Sequence, residues 1–144
     1  MKVIVVSGGF DPLHSGHISY FKDASDHGDR LIVALNSDDW LKRKKGRYFM
    51  PFVERKSIIE NLRNVDEVID FEDDEIGSSI NALEKVKELY PEDEIYFANG
   101  GDRGKGNVPE LDVCKELGVT MLWGVGGGKI QSSSWLINGG KDEV

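Results

Sequence analysis

The sequence lacks most of what marks a secreted or membrane protein. Cys114 is the single cysteine among 144 residues, so no disulfide can form within the chain, which favours a reducing compartment. No apolar run is long enough to span a membrane as a helix. The opening stretch MKVIVVSGGF reaches a glycine pair too early for a signal peptide. We therefore expect a cytoplasmic protein with no membrane partner.

Positive charge is scarce as well. Lys and Arg number 18 against 26 Asp and Glu, and the formal net charge of -8 argues against a nucleic-acid partner, which would require a basic face. Residues 42–47, KRKKGR, depart from this balance with five basic side chains. Such a run most often forms a solvent-exposed face of a helix. In an acidic chain the run also fits a small anionic ligand.

Two familiar nucleotide-binding loop patterns are also missing. The sequence contains neither the G-x-G-x-x-G fingerprint of dinucleotide-binding folds nor the P-loop pattern. Their absence disfavours an oxidoreductase that uses a dinucleotide.

Strands and helices are predicted to alternate along the chain, because β-branched runs alternate with segments of helical periodicity. In residues 51–65 the helical pattern rests on Val53, Ile58, Ile59 and Leu62. Alternation predicts the α/β class: a doubly wound parallel sheet of about five strands, in a single domain of residues 1–138 with a flexible tail of residues 139–144. The predicted strands are residues 2–7, 30–37, 67–71, 94–102 and 119–124. The predicted helices are residues 15–27, 51–65, 78–90, 110–118 and 132–137, with residues 38–46 as a short helix or ordered loop.

The stretch GGFDPLHSGH, residues 8–17, leads from the first strand to the first helix. Gly8 and Gly9 allow close approach of a bound group, and ligands of parallel sheets bind at this carboxyl edge. His14 and His17 flank a helix N-terminus, where imidazoles can donate hydrogen bonds to phosphate. The alternative is that His14 caps the turn and His17 is a surface residue. A metal site is disfavoured because no cysteine or carboxylate cluster completes a ligand set.

This stretch resembles the G-x-F-D-x-x-H-x-G-H signature of the cytidylyltransferase-like nucleotidyltransferases, and the resemblance extends from Lys2 to Ile137. It implies a Rossmann-like fold and an enzyme that transfers a nucleoside monophosphate from CTP or ATP to a small phosphorylated acceptor. Pyrophosphate is released, and Mg²⁺ accompanies the nucleotide. The resemblance makes His14 and His17 catalytic. It assigns nucleotide contacts to Gly8, Gly9, Phe10, Asp11 and Gly16.

Further segments extend the resemblance. In LKRKKGR it implies that Lys44 and Lys45, and less so Lys42, contact the triphosphate and acceptor phosphate. VERKSIIENLRNVDEVI resembles glycerol-3-phosphate cytidylyltransferases, which makes Arg55 and Arg63 phosphate or acceptor contacts. Residues 63–69 match a dimer-interface stretch of that family, and this implies a homodimer.

The last segments concern the nucleotide. NGGDRG implies that Asp102 holds the ribose hydroxyls and that Gly101 also contacts the nucleotide. IQSSSWLI implies that Ser132, Ser133 and Ser134 hold the β- and γ-phosphates. Where cytidylyltransferases carry R-T-E-G, this chain has GVGGGKIQ, which leaves Lys129 as the cation.

The choice of nucleotide stays open at this stage. RNVDEVI resembles the cytidylyltransferases, and a cytidylyltransferase is the favoured prediction. GDRLIVALNSDD, KRKKG and the G-G-D loop instead resemble the heptose-phosphate adenylyltransferase domain. The alternatives are therefore a heptose- or sugar-phosphate adenylyltransferase and a non-catalytic nucleotide sensor.

Overall fold

The computed structural model of the chain describes residues 1–100 and 108–126. These residues form a five-stranded, all-parallel sheet with the strand order β3-β2-β1-β4-β5. The strands are β1 (Lys2–Gly8), β2 (Arg30–Leu35), β3 (Glu67–Ile69), β4 (Glu94–Gly100) and β5 (Thr120–Val125). The helices are α1 (Ser15–Ser25), α2 (Asp38–Lys45), α3 (Phe52–Glu60), α4 (Ile80–Leu89) and α5 (Leu111–Leu117). This architecture confirms the predicted α/β class and the parallel sheet.

The central strand β1 is buried on both faces. Val3 and Val5 pack into a cluster that includes residues of α4 and α5, while Ile4 and Val6 pack into a second cluster with residues of α1 and α3. Side chains alternate between the two faces of a strand, so helices must cover both faces to bury such a run. The apolar run at the start of the chain therefore specifies the middle strand of a doubly wound sheet.

The chain order places a switch point beside β1. From β1 the chain moves outward to β2 and β3, and then returns to place β4 on the other side of β1. Crossovers that leave β1 in opposite directions open a crevice at the carboxyl ends of the strands, where ligands of such sheets bind. Gly8 and Gly100, the last residues of β1 and β4, both lie at this edge.

Helix α3 differs from its predicted form. It ends at Glu60, and its Val53 side chain is 75% exposed, whereas Arg55 is only 1% exposed. The inward positions are Arg55 and Ile59, one helical turn apart. A charged residue occupies a core-facing position here, whereas Val53 and Ile58, two of the apolar residues at helical spacing, are exposed.

Two other predicted segments have different outcomes. Residues 38–46 were predicted as either a short helix or an ordered loop, and the structure shows a helix, α2. The predicted helix of residues 132–137 and the tail of residues 139–144 lie outside the described residues.

Candidate functional site

The two histidines of the opening loop cap helix α1 reciprocally. His14 is the N-cap residue, and its Nδ1 accepts the backbone N–H of Gly16 at 3.1 Å. His17 lies at the third helical position, and its Nδ1 accepts the backbone N–H of His14 at 3.2 Å. This is the geometry of a capping box, usually built from Ser or Thr with Glu or Gln. His14 therefore does cap the turn, as the structural alternative held, and His17 takes part in the same cap.

The cap also determines where each ring carries its proton. A ring nitrogen that accepts a hydrogen bond has no proton of its own, so a neutral His14 or His17 is protonated at Nε2. The two rings are stacked, with centroids 3.7 Å apart and planes 21° apart. The ring of Phe10 meets His17 edge-on at 4.9 Å. Two N–H donors of fixed tautomer thus lie at the N-terminus of α1, where backbone amides and the helix dipole favour anions.

The glycine pair lets the loop fold back on itself. Phe10 has a φ of +49°, and a Cβ at Gly8 would lie 2.8 Å from the Phe10 ring. A Cβ at Gly9 would lie 2.6 Å from Cδ2 of Leu41 in α2. Both positions therefore favour glycine, because a Cβ would have to displace the Phe10 ring or the Leu41 side chain. Their contact with a nucleotide stays a prediction.

Asp11 ties the loop to the segment before α3. Its side chain is buried, and its two carboxylate oxygens accept the backbone N–H groups of Phe49 and Met50 at 2.5 and 2.6 Å. Each oxygen has its own donor, so the carboxylate holds both chain segments in one geometry. A role for Asp11 in fixing the loop agrees with these contacts.

Arg55 joins four segments around the site. Its Nη1 donates to the carbonyl oxygens of Gly9 and Asn36 at 2.9 and 2.8 Å, and its Nε donates to that of Met50 at 2.9 Å. Its Nη2 pairs with Asp38 at 2.6 Å, at the first residue of α2. These contacts make Arg55 a positioning residue for the glycine loop, the end of β2 and α2. The predicted phosphate contact of Arg55 is not tested by them.

Helix α2 carries the basic run, and the helix dipole explains part of that run. Ser37 caps the helix, Asp38 and Asp39 lie in its first turn, and the four basic residues occupy its last turn before Gly46. This order of charges complements the helix dipole. All four basic side chains are exposed, and the contact between Gly9 and Leu41 places α2 beside the glycine loop. The structure thus brings the histidine cap and the basic helix to one edge of the sheet.

The basic side chains of α2 differ in their neighbours. Lys44 Nζ lies 4.6 Å from the centroid of the Trp40 ring, and Lys42 Nζ lies 5.4 Å from that of Tyr48. Arg43 donates through Nη2 to the carbonyl oxygen of Asp74 at 3.0 Å. The run is therefore not a uniform charged face.

The segment between β3 and α4 borders the site, and sequence reasoning missed it. Asp73 accepts the Ser37 hydroxyl at 2.6 Å, and Trp40 Nε1 donates to the carbonyl oxygen of Gly77 at 2.9 Å. Burial alone would raise the pKa of Asp74, but hydrogen bonds from the hydroxyl and backbone N–H of Ser78 lower it below its ordinary value. Asp, Gly and Ser in DDEIGSS are typical of a hydrogen-bonded turn, and this was the available signal.

The remaining predicted residues fall into two groups. Gly16 lies in the first turn of α1, and Arg63 is exposed between α3 and β3, within the stretch predicted for a dimer interface. The homodimer stays a prediction. The predicted nucleotide residues Gly101, Asp102, Lys129, Ser132, Ser133 and Ser134 lie outside the described residues.

The described residues that precede these two predicted segments lie near the same edge of the sheet. Gly100 ends β4, and the backbone N–H of Gly126, just after β5, donates to Asp23 of α1 at 2.7 Å. The chain therefore enters both predicted nucleotide segments from the carboxyl side of the sheet.

Neither a metal cage nor a membrane span is found in the described part of the chain. Within residues 1–100 and 108–126, no three His, Cys, Asp or Glu side chains are grouped to hold a metal ion. The same residues contain no helix long and apolar enough to cross a membrane. A Mg²⁺ ion that enters with a nucleotide would not need a protein cage, because Mg²⁺ usually binds substrate phosphates and water with one or two carboxylates.

Comparison with known proteins decides the family. Residues 5–122 match the family model described as cytidylyltransferase-like. The chain belongs to the cytidylyltransferase-like family. Membership makes it a nucleotidyltransferase, as the signature of residues 8–17 predicted.

Relatives of this cytidylyltransferase-like chain include the bifunctional protein HldE of two bacteria. The Erwinia tasmaniensis protein is 42% identical over 112 residues, which cover 70% of this chain and 23% of the relative. The Salmonella arizonae protein is 41% identical over 112 residues, which cover 70% and 24%. The chain thus spans about a quarter of the length of these curated relatives.

Solved structures of other proteins share the fold of this chain. A lipopolysaccharide core biosynthesis protein from Thermoplasma volcanium superposes with a TM-score of 0.67 at 23% identity, covering 90% of this chain and 99% of that one. A bifunctional NMN adenylyltransferase/ADP ribose pyrophosphatase from Francisella tularensis gives 0.67 at 17% identity, covering 92% and 40%. At these identities the likeness establishes the Rossmann-like nucleotidyltransferase fold.

Proposed function

We propose that the chain transfers AMP from ATP to the phosphate of a sugar phosphate, with a heptose phosphate as the first candidate, and releases pyrophosphate. The donor and acceptor are supported by the resemblance of GDRLIVALNSDD and KRKKG to heptose-phosphate adenylyltransferase domains, and by relatives at 41–42% identity that carry the name HldE. These relatives support the adenylyltransferase alternative better than the cytidylyltransferase favoured at first.

The single observation that carries the proposed chemistry is the reciprocal histidine cap. An oxygen of the acceptor phosphate attacks the α-phosphorus of ATP, a new P–O bond forms, and the bond from the α-phosphorus to the bridging oxygen breaks. Pyrophosphate leaves with the electron pair of that bond. A phosphate monoester is already ionised at neutral pH, so the step needs no general base. The Nε2–H groups of His14 and His17 donate to the phosphate oxygens on which charge increases.

Catalysis of this kind depends mostly on positioning and charge neutralisation. Arg55 and Asp11 fix the glycine loop against α2 and the segment before α3. Lys44 and Lys45, at the end of α2, hold the acceptor phosphate near the α-phosphorus. Mg²⁺, bound with the triphosphate, supplies further positive charge.

A second candidate is cytidylyl transfer to glycerol 3-phosphate. It is favoured by the resemblance of residues 63–69, RNVDEVI, to glycerol-3-phosphate cytidylyltransferases. A non-catalytic sensor would use the same loops to bind a nucleotide and would release no pyrophosphate.

One assay separates these functions. The purified chain is incubated with Mg²⁺ and either ATP or CTP, each with a heptose 1-phosphate, glucose 1-phosphate or glycerol 3-phosphate, and pyrophosphate release and product mass are measured. We expect release with ATP and a sugar phosphate. Release only with CTP and glycerol 3-phosphate would establish the second candidate, and tight nucleotide binding without release from any pair would establish the sensor.

A matched pair of variants ties the activity to the site. His14→Asn retains a side-chain oxygen that can cap α1 but removes the imidazole donor. His27→Gln changes the third histidine, which is exposed beyond the opposite end of α1. Activity should fall only in His14→Asn, and equal activity in both variants would remove His14 from the chemistry.

A further inference from the structure

Trp40 lies between two glycines that belong to different loops. A Cβ at Gly9 would lie 3.2 Å from Cζ3 of Trp40, so the indole packs closely on the glycine loop. On the other side, Gly77 has a φ of +71°, and a Cβ there would lie 3.3 Å from Trp40 Nε1. The indole N–H donates to the Gly77 carbonyl oxygen at 2.9 Å. Packing and one hydrogen bond therefore hold the indole in a single orientation.

The loop that contains Gly77, between β3 and α4, is itself held in place by hydrogen bonds. Asp74 accepts the backbone N–H of Ser78 at 2.7 Å and also accepts the Ser78 hydroxyl. Arg43, also on α2, donates to the carbonyl oxygen of Asp74 at 3.0 Å. Trp40 and Arg43 lie three residues apart on one helix face, so the loop is anchored to α2 at two points.

Lys44 lies over the fixed ring of Trp40, one helical turn further along α2. Its Nζ is 4.6 Å from the ring centroid, within the range of a cation–π contact, and Trp is the best of the aromatic side chains for this interaction. Lys42 instead lies 5.4 Å from the ring of Tyr48. Lys42 and Lys44 are therefore directed to different aromatic neighbours, and of these two rings the one beside Lys44 packs on Gly9.

We propose that Trp40 is a positioning residue that holds the Lys44 ammonium beside the glycine loop for the phosphate of the acceptor. This inference rests on the proposed function. A carboxylate partner would position a lysine but would also neutralise it. The face of Trp40 restrains the flexible Lys44 side chain and, unlike a carboxylate, itself adds no negative charge beside the ammonium.

The test compares variants that separate the ring, its N–H and its lysine. Trp40→Leu removes the ring, Trp40→Phe keeps a ring without the N–H, and Tyr48→Leu is the matched control at Lys42. Each change is made in the native chain and in Lys44→Met. Steady-state constants are measured for ATP and for the sugar phosphate, and thermal unfolding verifies folding.

In the native chain, Trp40→Leu should raise the KM for the sugar phosphate about two- to fivefold, as expected for loss of an exposed to partly desolvated cation–π contact. Trp40→Phe should have a smaller effect, and the KM for ATP should not change. In the Lys44→Met chain, Trp40→Leu should have little further effect on the sugar phosphate. Tyr48→Leu should leave the constants unchanged. Equal effects of Trp40→Leu in both backgrounds, or an effect on ATP alone, would overturn the proposal.

A binding measurement keeps this inference distinct from the proposed function. If the native chain turns over no substrate pair, the proposed function fails, and titration calorimetry with glucose 1-phosphate and glycerol 3-phosphate then tests Trp40 by itself. Binding that weakens two- to fivefold in Trp40→Leu, but not in Tyr48→Leu, would support the role of Trp40. Absence of binding, or equal binding by both variants, would overturn it.

Discussion

The opening loop and helix α2 lie side by side, but they use their polar residues in opposite ways. In the loop, Asp11, His14 and His17 all accept backbone N–H groups of the protein itself. In α2, the basic side chains of the last turn are exposed, and two of them lie over aromatic rings. The polar residues of the loop thus stabilise the loop itself, whereas the end of α2 presents exposed positive charge.

This comparison determines which substitutions are informative. On the proposed function, a change in the loop should alter folding and catalysis together unless the new side chain preserves the backbone hydrogen bond. A change at the exposed Lys45 should alter ligand binding much more than stability. The following predictions test that difference.

Arg55, which holds the loop and α2 together, should give the largest effect. Arg55→Ala leaves Asp38 without its buried partner and three carbonyl oxygens without their donor. We expect the free energy of unfolding to fall by about 3 kcal/mol or more, because three carbonyl oxygens around the buried guanidinium lose their donor at about 1 kcal/mol or more each. Urea unfolding measures this change. A fall below 1 kcal/mol would show that the loop and α2 do not depend on Arg55.

His17 should show that folding and chemistry can be separated within the loop. His17→Gln keeps an acceptor for the His14 N–H and the capping box, while His17→Ala loses both the acceptor and the imidazole. Both variants should lower turnover about 10²-fold or more, as loss of one charge-stabilising donor does. Only His17→Ala should also lose stability, by about 1 kcal/mol. Near-normal turnover in either variant would contradict a catalytic role for His17.

Lys45 should give a smaller and purely functional effect. Lys45→Ala removes a charge at the end of α2 that we assign to the acceptor phosphate, so kcat/KM for the acceptor should fall about tenfold. Because Lys45 is exposed, the free energy of unfolding should change by no more than about 0.5 kcal/mol. Unchanged acceptor kinetics would favour the solvated helix face.

Substitution of Asp74 should give the smallest effect, a change in the free energy of unfolding that is seen only at acid pH. The lowered pKa of its carboxyl in the folded chain means that it stabilises the fold above the pKa of the unfolded chain, near 4, and that this stabilisation is lost as pH falls through the lower, folded value. Asp74→Asn should therefore flatten the acid limb of the stability curve below about pH 4. Identical acid limbs in the native chain and the variant would remove this role.

The sequence predicted those features that depend on local pattern. The alternation of β-branched runs with helical segments predicted the parallel sheet. The spacing of His14 and His17 predicted a pair at the start of α1. The same spacing, N-cap to third helical position, is that of a capping box, so the cap itself was within reach. The inward side of α3 could not be predicted in this way, because Arg55 is buried through contacts with Gly9, Asn36 and Asp38, which are distant in sequence.

The most direct test of the histidine cap is nitrogen-15 NMR of the three histidine rings, at a pH at which the rings are neutral. We expect His14 and His17 to be unprotonated at Nδ1 and protonated at Nε2. The Nε2–H resonances of both should shift when a non-hydrolysable ATP analogue binds with Mg²⁺, while His27 should not respond. A proton on Nδ1 of His14 or His17, or Nε2–H resonances unaffected by the bound nucleotide, would contradict the assignment of these rings as phosphate donors.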